Sequence, residues 1–300
     1  MLTERMENMQ LFMQQMVNGI ALGSIYALIA LGYTMVYGTI KLINFAHGEV
    51  YMLGAFTGFY LVTVLQVNIF LAMVVAMLAT SLLGVIIERV AYKPLRNSTR
   101  VAALITAIGV SFFLQNIMIY FVGPEVKAFP SPIKVTILKV FGLVITSKQI
   151  LVVVMTVILM VALQLIVQKT KMGKAMRAVA VDPEAAQLMG INVDRVISFT
   201  FALGSGLAGI AGILVGIYYN SIQATMGTAP GLKAFIAAVI GGIGSIPGAM
   251  VGGYLIGILE TLVTVLGFSN YKDAVVYALL IIILLVLPSG LFGKNVKEKV

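Results

Sequence analysis

Long apolar runs separated by short polar breaks make up almost the whole chain. The hydrocarbon core of a bilayer, about 30 Å thick, takes about 20 helical residues, and most of the runs reach that length. The pattern predicts an all-α, polytopic membrane helical bundle of about eight or nine spans, in one domain covering residues 1–300. The seventh run is ambiguous, because its apolar helical part stops near Gly241 and it can either cross the membrane or re-enter it. The predicted spans are 15–37, 49–66, 69–88, 101–122, 149–168, 196–219, 232–246, 248–267 and 273–288.

The composition supports a lipid environment. Of 300 residues, 60% are hydrophobic and 10% are charged, whereas a soluble domain has about a quarter charged residues. The net charge of +9 comes from basic clusters between apolar runs. This is typical of the inner loops of membrane proteins and argues against a nucleic-acid-binding face. The chain has no cysteine and one histidine, which excludes disulfides and structural zinc or iron–sulfur sites.

Three basic clusters predict the orientation, since short loops rich in lysine and arginine face the cytoplasm. The first lies within 89–100, the second within 169–195, and the third is the tail at 294–299. Two spans separate the first two clusters, and the tail joins them if the seventh run crosses. We therefore expect a multi-pass protein of the plasma (inner) membrane, with the N-terminus outside and the C-terminus cytoplasmic. The lysines of the extracytoplasmic segment 123–148 conflict with this rule.

The extracytoplasmic segment contains three prolines followed by a β-rich run, Val135 to Ile145, which is broken at Gly142. This run predicts a small hairpin on the outer face. Its function stays open between a docking surface for a substrate-binding protein and an ordinary long loop.

A polar, charged island at Gly173–Arg195 contains a short helix with both ends marked. Asp182 can cap the first turn, and Pro183 follows at a position where its fixed φ fits and its missing N–H costs nothing. Gly190 can take the left-handed conformation that ends a helix. The helix, Pro183–Met189, is about 10 Å long and too short to be stable alone. It is expected either to sit in a groove of another protein or to be a solvated loop helix.

The residues Glu184-Ala185-Ala186-x-x-x-Gly190 resemble the EAA-type coupling motif of ABC importer permeases. The surrounding sequence, DPEAAQLMGINVDRVISFTFALGSGLAG, resembles the LivH-type permease of branched-chain amino acid importers, and so do NGIALGSIYALIALGYTMVYG and INFAHGEVYMLGAF near the N-terminus. The resemblance covers nearly the whole chain. It implies that the coupling region 169–195 holds a short cytoplasmic helix that contacts an ATPase. The residues implied in this coupling are Arg177, Asp182, Pro183, Glu184, Ala185, Ala186 and Gly190.

The resemblance also implies the partners. A permease of this family works with two ABC ATPase subunits, a paralogous permease and an extracytoplasmic substrate-binding protein. The permease pair is expected as a heterodimer, with a homodimer as the alternative. ATP is bound by the partner subunits, so no cofactor is expected in this chain. Its sequence has no GxxxxGK[ST] P-loop, and GSGLAG lacks the preceding strand that a nucleotide fingerprint needs.

A break between the first two spans is the first candidate for the translocation pathway. It places a glycine and three polar side chains between apolar runs. Irregular backbone at membrane depth is tolerated only inside protein or beside a watery cavity. The resemblance implies that this break borders the path, although His47 taken alone is more typical of a hydrogen-bonded structural histidine. The candidate residues are Asn44, Phe45, His47, Gly48 and Glu49.

Further polar residues lie inside apolar runs. Glu260 is expected to face the bundle interior, because a carboxylate at the bilayer centre costs about 2.5–3.5 kcal/mol without a partner. It has no evident partner in the sequence, and Lys233 and Asp273 are expected to be simple anchors at span edges. Gln115 and Asn116 either line the path or form interhelical hydrogen bonds.

Small residues recur at every fourth position along two spans. In lipid, such ridges let helix backbones approach closely, so we expect both to be packing faces. The ridges are Gly204, Ala208, Gly212 and Gly216, and Ala249, Gly253 and Gly257.

The residues and the resemblance together predict a membrane-spanning ABC importer permease, not an enzyme, that moves branched-chain or related small amino acids inward. Similar permeases carry urea or short amides, so the substrate stays open. A stand-alone secondary transporter or channel is the alternative class, and it needs coupling-ion sites in broken helices. An intramembrane enzyme needs a catalytic pair, which the sequence does not contain.

Overall fold

The structure is a computed structural model that describes residues 2–96, 98–130, 134–140 and 142–293. Helices dominate this part of the chain, and strands are limited in it to two small antiparallel pairs. The fold is a helical membrane bundle, which confirms the prediction from the apolar runs.

The described elements follow one another from end to end of the bundle. The helices are α1 (Leu2–Ile40), α2 (His47–Thr63), α3 (Ile69–Ile87), α4 (Arg100–Val122), α5 (Ser147–Lys169), α6 (Lys171–Val181), α7 (Pro183–Leu188), α8 (Val193–Tyr219), α9 (Thr228–Gly241), α10 (Ile246–Val265) and α11 (Lys272–Val286). The strands are β1 (Lys127–Ala128), β2 (Ile137–Val140), β3 (Leu143–Thr146) and β4 (Ser221–Ile222). A π-helical turn, Glu88–Tyr92, and a 3-10 turn, Lys93–Leu95, continue α3, and the 3-10 turn Ser269–Tyr271 precedes α11.

Among the described residues, 7 helices are long and apolar enough to cross a bilayer. They are α1, α3 with its following turns, α4, α5, α8, α10, and α11 with its preceding turn. The helix α2 has 17 residues and α9 has 14, so each is shorter than the about 20 residues of a full span. The predicted apolar runs therefore correspond to full-length helices and these two shorter ones.

The helices α1 and α8 form the centre of the bundle. Most of their apolar stretch is buried, whereas α4 and α11 expose most of theirs. The helix α8 packs against α1, α2 and α3, and α10 packs along α1. In a bilayer, the exposed apolar surface of α4 and α11 contacts lipid or another membrane subunit.

Both small-residue ridges lie in helix contacts, as predicted. A Cβ on Gly204 of α8 would lie 3.1 Å from the carbonyl oxygen of Gly32 in α1. A Cβ on Gly253 of α10 would lie 2.7 Å from the Cβ of Ala27, also in α1. The backbones come this close because glycine has no side chain, and such close packing drives helix association in lipid.

The predicted hairpin is confirmed at one end of the bundle. The strands β2 and β3 pair antiparallel, with Val140 opposite Leu143, and Gly142 between them has a φ of +79°. Gln14 of α1 holds the hairpin, because its side chain donates to the Val144 carbonyl at 2.8 Å and accepts from the Val144 N–H at 2.7 Å. The N-terminal part of α1 and the hairpin therefore lie together.

The first two basic clusters share the opposite end. Lys93 and Arg96 of the first cluster form ion pairs with Asp194 of the second. The strand β1, which follows α4, pairs with β4, which follows α8, at the hairpin end. This arrangement agrees with the predicted topology of these segments, while the tail lysines within 294–299 lie outside the described residues.

Candidate functional site

Asp182 caps the short helix α7, as predicted. Its Oδ1 accepts hydrogen bonds from the N–H groups of Glu184 at 3.0 Å and Ala185 at 2.9 Å. Pro183 occupies the first turn. The cap therefore satisfies two N–H groups of a first turn that has no intrahelical partners for them.

Gly190 ends α7 in the left-handed conformation, with a φ of +83°. Its N–H donates to the Gln187 carbonyl at 3.0 Å, and the Ile191 N–H donates to the Ala186 carbonyl at 3.0 Å. These two bonds define a Schellman motif, which satisfies carbonyls at the end of the helix. The helix ends at Leu188, one residue earlier than predicted.

One face of α7 leans on the protein and the other is open. The side chain of Ala186 is 5% exposed, whereas Leu188 is 88% and Met189 is 83% exposed. These two large apolar residues lie at the end of the molecule that carries the basic clusters. They form an outward-facing contact surface next to polar groups, which is typical of a protein interaction site.

Arg177 connects the helix that leads into α7 to the rest of the bundle. Its Nη1 donates to the carbonyl of Val167 near the end of α5. A cation is favourable there because the C-terminal end of a helix carries partial negative charge. Arg177 therefore positions α6, and through α6 the start of α7.

A cluster of charged residues ties α8 to the end of α3. Arg96 forms ion pairs with both Glu88 and Asp194, and Lys93 pairs with Asp194 at 2.6 Å. Ser198 of α8 donates to the second oxygen of Glu88 at 2.7 Å. Glu88 is fully buried, so this cluster supplies the partners that a buried carboxylate needs.

Sequence analysis missed this cluster, because Arg96 and Asp194 are 98 positions apart. It matters for α7, since only residues 189–192 separate that helix from α8. The side chain of Asn192 caps α8 by accepting from the Arg195 N–H at 3.0 Å. A movement of α7 therefore acts directly on the first turn of α8, where Asp194 is held by α3.

The break after α1 turns the chain back into the bundle. The helix α1 ends at Ile40, yet α2 begins at His47 in contact with Gly32. That contact lies about 12 Å before the end of α1, at about 1.5 Å per helical residue. The Tyr92 hydroxyl donates to Oδ1 of Asn44 at 3.1 Å. The irregular backbone is thus enclosed by protein, as its composition predicted.

A second break precedes α9. The chain leaves β4 at the hairpin end and begins α9 at Thr228, inside the bundle. A Cβ on Gly231 would lie 3.0 Å from the Cα of Gly48, so the first turns of α2 and α9 meet. The helix α9 runs about 21 Å toward the other end, where the Leu291 N–H donates to the Ile240 carbonyl at 2.8 Å. The ambiguous seventh run therefore crosses as an interrupted helix.

This meeting of helices places Glu49 between α4 and α9. Its Oε1 accepts from the Ser111 hydroxyl of α4 at 3.3 Å, and the side chain is almost fully buried. Its Oε2 lies beside Gly227, the N-cap residue of α9. One helical turn further along α4, Gln115 donates to the Thr228 hydroxyl at 3.2 Å. The structure thus brings two predicted pathway residues, Glu49 and Gln115, to the start of α9.

Three other predicted residues have different surroundings. His47 is fully buried and packs edge-on against Tyr33, with ring centroids 4.7 Å apart. Phe45 packs on Phe235 with centroids 5.8 Å apart. Asn116 is exposed and donates to a carbonyl of its own helix at 2.8 Å, so it is separated from the group around Glu49.

Glu260 has partners that sequence analysis did not find. The Tyr26 hydroxyl donates to its Oε2 at 2.7 Å, and Lys233 forms an ion pair with its Oε1. Lys233 also pairs with Asp273 at 2.7 Å. The expectation that Lys233 and Asp273 are simple anchors is therefore wrong. They form an internal ion network that joins α9, α10 and α11, and Tyr26 extends it to α1.

A bundle of long apolar helices, with two helices that start inside it and a capped helix exposed at one end, is the architecture of a membrane transport protein. The sequence matches, over residues 15–284, the family described as branched-chain amino acid transport system / permease component. The chain therefore belongs to this permease family.

Individual relatives agree with the family match. The chain is 46% identical over 301 residues to the high-affinity branched-chain amino acid transport system permease protein LivH of Salmonella typhimurium, covering 96% of this chain and 98% of that protein. The LivH protein of Escherichia coli has the same identity and coverage. The BraD protein of Pseudomonas aeruginosa is 43% identical over the same shares of both chains. No solved structure matches the chain.

Proposed function

We propose that this chain is the membrane-spanning permease subunit of an ABC importer that carries branched-chain amino acids into the cell. Separate ATPase subunits drive the transport. The observation that carries this proposal is α7, a short helix capped at both ends that presents Leu188 and Met189 outward. Membership of the permease family and the names of the similar proteins support the substrate class.

In this proposal α7 inserts into a groove of an ATPase subunit. Its apolar face fits the mode in which a short helix binds a hydrophobic groove. Movement of the ATPase pushes α7, and the short connection to α8 passes the displacement to the first turn of the central helix. Because α8 is packed against α1, α2 and α3, a small shift repacks the centre of the bundle. Packed helices switch between discrete arrangements more readily than they deform.

The assembly contains two ATPase subunits, a second, paralogous permease and an extracytoplasmic substrate-binding protein. ATP is bound by the ATPase subunits, since this chain has no P-loop pattern. The end with the basic clusters and α7 faces the cytoplasm, together with the C-terminus, and the hairpin of β2 and β3 faces the binding protein. The basic residues of the first two clusters support this orientation.

Co-purification and uptake test the function separately. The tagged permease, expressed with its paralogue, is expected to bring down an ATPase subunit, whereas a stand-alone transporter or channel brings down none. Uptake of radiolabelled leucine by the assembled complex is expected to be inhibited by isoleucine and valine. Urea and acetamide are the control competitors. Inhibition by urea or acetamide but not by valine would replace the proposed substrate class while keeping the ABC assembly.

A further inference from the structure

Three glutamates with buried side chains lie along helices or their continuing turns, and two of them have cationic partners. Glu88 pairs with Arg96, and Glu260 pairs with Lys233. Across the described ranges, no lysine, arginine or histidine forms an ion pair with Glu49. Its side chain is 2% exposed, and its Oε2 accepts no hydrogen bond from the described residues.

An unpaired carboxylate at this position is costly. A charged residue at the centre of a spanning helix is unfavourable by about 2.5–3.5 kcal/mol on insertion scales, and such residues commonly mark a substrate or ion path. The surroundings reduce that cost only in part. Ser111 supplies one hydrogen bond at 3.3 Å, and the positive ends of α2 and α9 lie beside the carboxylate.

The approach of Glu49 to α9 depends on a glycine. Gly227 caps α9, and a Cβ at that position would lie 2.8 Å from Oε2 of Glu49. A larger residue at 227 would displace either the carboxylate or the first turn of α9. The unpartnered oxygen therefore points at the helix start, next to Thr228, whose side chain is exposed.

The helix α4 covers this group loosely. It is mostly exposed, and its main contacts are with α2 and with the π-helical turn after α3. Its face toward the group contributes Ser111 and Gln115, which bond to Glu49 and Thr228. Withdrawal of α4 breaks those two hydrogen bonds and uncovers the carboxylate together with the start of α9.

We propose that Glu49 binds the α-ammonium group of the transported amino acid when α4 moves aside. This inference rests on the proposed function and names a substrate subsite within it. A zwitterion that enters the bundle loses water from both charges, so it needs a partner for each. Glu49 supplies the partner for the ammonium group. The first-turn N–H groups of α9 lie next to it and suit the neighbouring carboxylate, as helix starts commonly do for anions.

Glu49→Gln tests the charge with little change of shape. The complete importer is reconstituted in liposomes with its ATPases and binding protein, and leucine uptake and ATP hydrolysis are measured together. We expect uptake per ATP to fall at least about tenfold, since removing one member of a buried charge pair weakens binding by more than that. ATP hydrolysis stimulated by the binding protein is expected to persist. Glu49→Asp, which keeps the charge, is expected to restore part of the uptake, whereas a merely structural role would not separate the two variants in this way.

Substrate analogues test which group of the ligand is bound. Radiolabelled leucine is bound to the permease–ATPase complex without binding protein, and two competitors are compared. These are 3-methylbutylamine, which is leucine without its carboxylate, and 4-methylpentanoate, which is leucine without its amino group. The amine is expected to compete with leucine in the wild-type complex and to lose that effect in Glu49→Gln.

Two results would overturn the inference. One is normal uptake per ATP in Glu49→Gln, and the other is competition by 4-methylpentanoate that equals or exceeds that of the amine. In both cases wild-type leucine uptake leaves the proposed function standing. A wild-type complex that assembles with its ATPases but takes up no leucine overturns the proposed substrate, and this inference with it.

Discussion

Arg96, at the end of the turns that continue α3, forms an ion pair with Asp194 in the first turn of α8. The same guanidinium pairs with Glu88, which is fully buried. One side chain thus joins an interior carboxylate to the segment that follows α7. The contact connects the proposed ATPase-binding helix to two long helices of the bundle.

The two ion pairs of Arg96 are expected to differ in their effect on stability. Asp194→Asn removes a half-exposed partner, so we expect a loss of at most about 1 kcal/mol. Arg96→Met leaves Glu88 buried without its cation, which is expected to cost about 3–5 kcal/mol. Thermal unfolding of the purified permease complex measures both. Equal melting temperatures for the two variants would contradict this assignment.

Gly190→Val is expected to weaken ATPase binding without preventing membrane insertion. A residue with a Cβ pays about 1–2 kcal/mol in the left-handed conformation, and α7 has little stability of its own. Gly123→Val is the matched control, because Gly123 also has a positive φ, of +88°, and open space around it but lies at the other end of α4. ATPase co-purification is compared for the two. Wild-type recovery of the ATPase with Gly190→Val would make α7 an ordinary loop helix.

The exposed apolar pair of α7 is expected to contribute to binding and not to folding. Replacing Leu188 and Met189 together by serine removes apolar contact surface, and each buried aliphatic side chain is worth about 1.5–3 kcal/mol at an interface. The melting temperature of the isolated permease should stay unchanged because both residues are exposed. Val126→Ser, at an exposed position near the hairpin end, is the control. If the double variant retains its ATPase as firmly as the control does, the groove contact lies elsewhere.

The ion network around Glu260 reverses an expectation from the sequence. Without a visible partner, Glu260→Leu was expected to affect packing little. The structure pairs it with Lys233, so the substitution leaves a buried ammonium with Asp273 alone and is expected to cost about 3–5 kcal/mol. Adding Lys233→Met should recover most of that loss. Thermal unfolding of the single and double variants measures the coupling, and additive losses would argue against a direct pair.

Cysteine labelling tests the orientation in a chain that has no cysteine of its own. We expect Gln187→Cys in α7 to react only from the cytoplasmic side and Lys139→Cys in β2 only from outside. Asn97 and Ser131 are further positions predicted on opposite sides, but both lie outside the described residues. Intact cells and inverted vesicles, treated with an impermeant maleimide, separate the two directions. Labelling of Gln187→Cys and Lys139→Cys from the same side would refute the topology.

Features that depend on neighbouring residues were predictable from the sequence. The cap at Asp182, the left-handed end at Gly190 and the hairpin broken at Gly142 all follow from the conformational preferences of residues close together in the chain. The small-residue ridges follow from the helical period in the same way. These local rules were enough for the helical class, for α7 and for the packing faces of α8 and α10.

The partners of the buried charges were decided only by the tertiary structure. Arg96 meets Asp194 across 98 positions, and Lys233 meets Glu260 across 27. When nearly every face of a helix is apolar, its pattern does not specify which neighbour it contacts. Nor does it specify at what depth a helix begins. The position of Glu49 beside the start of α9 therefore became visible only when both broken helices were placed in the bundle.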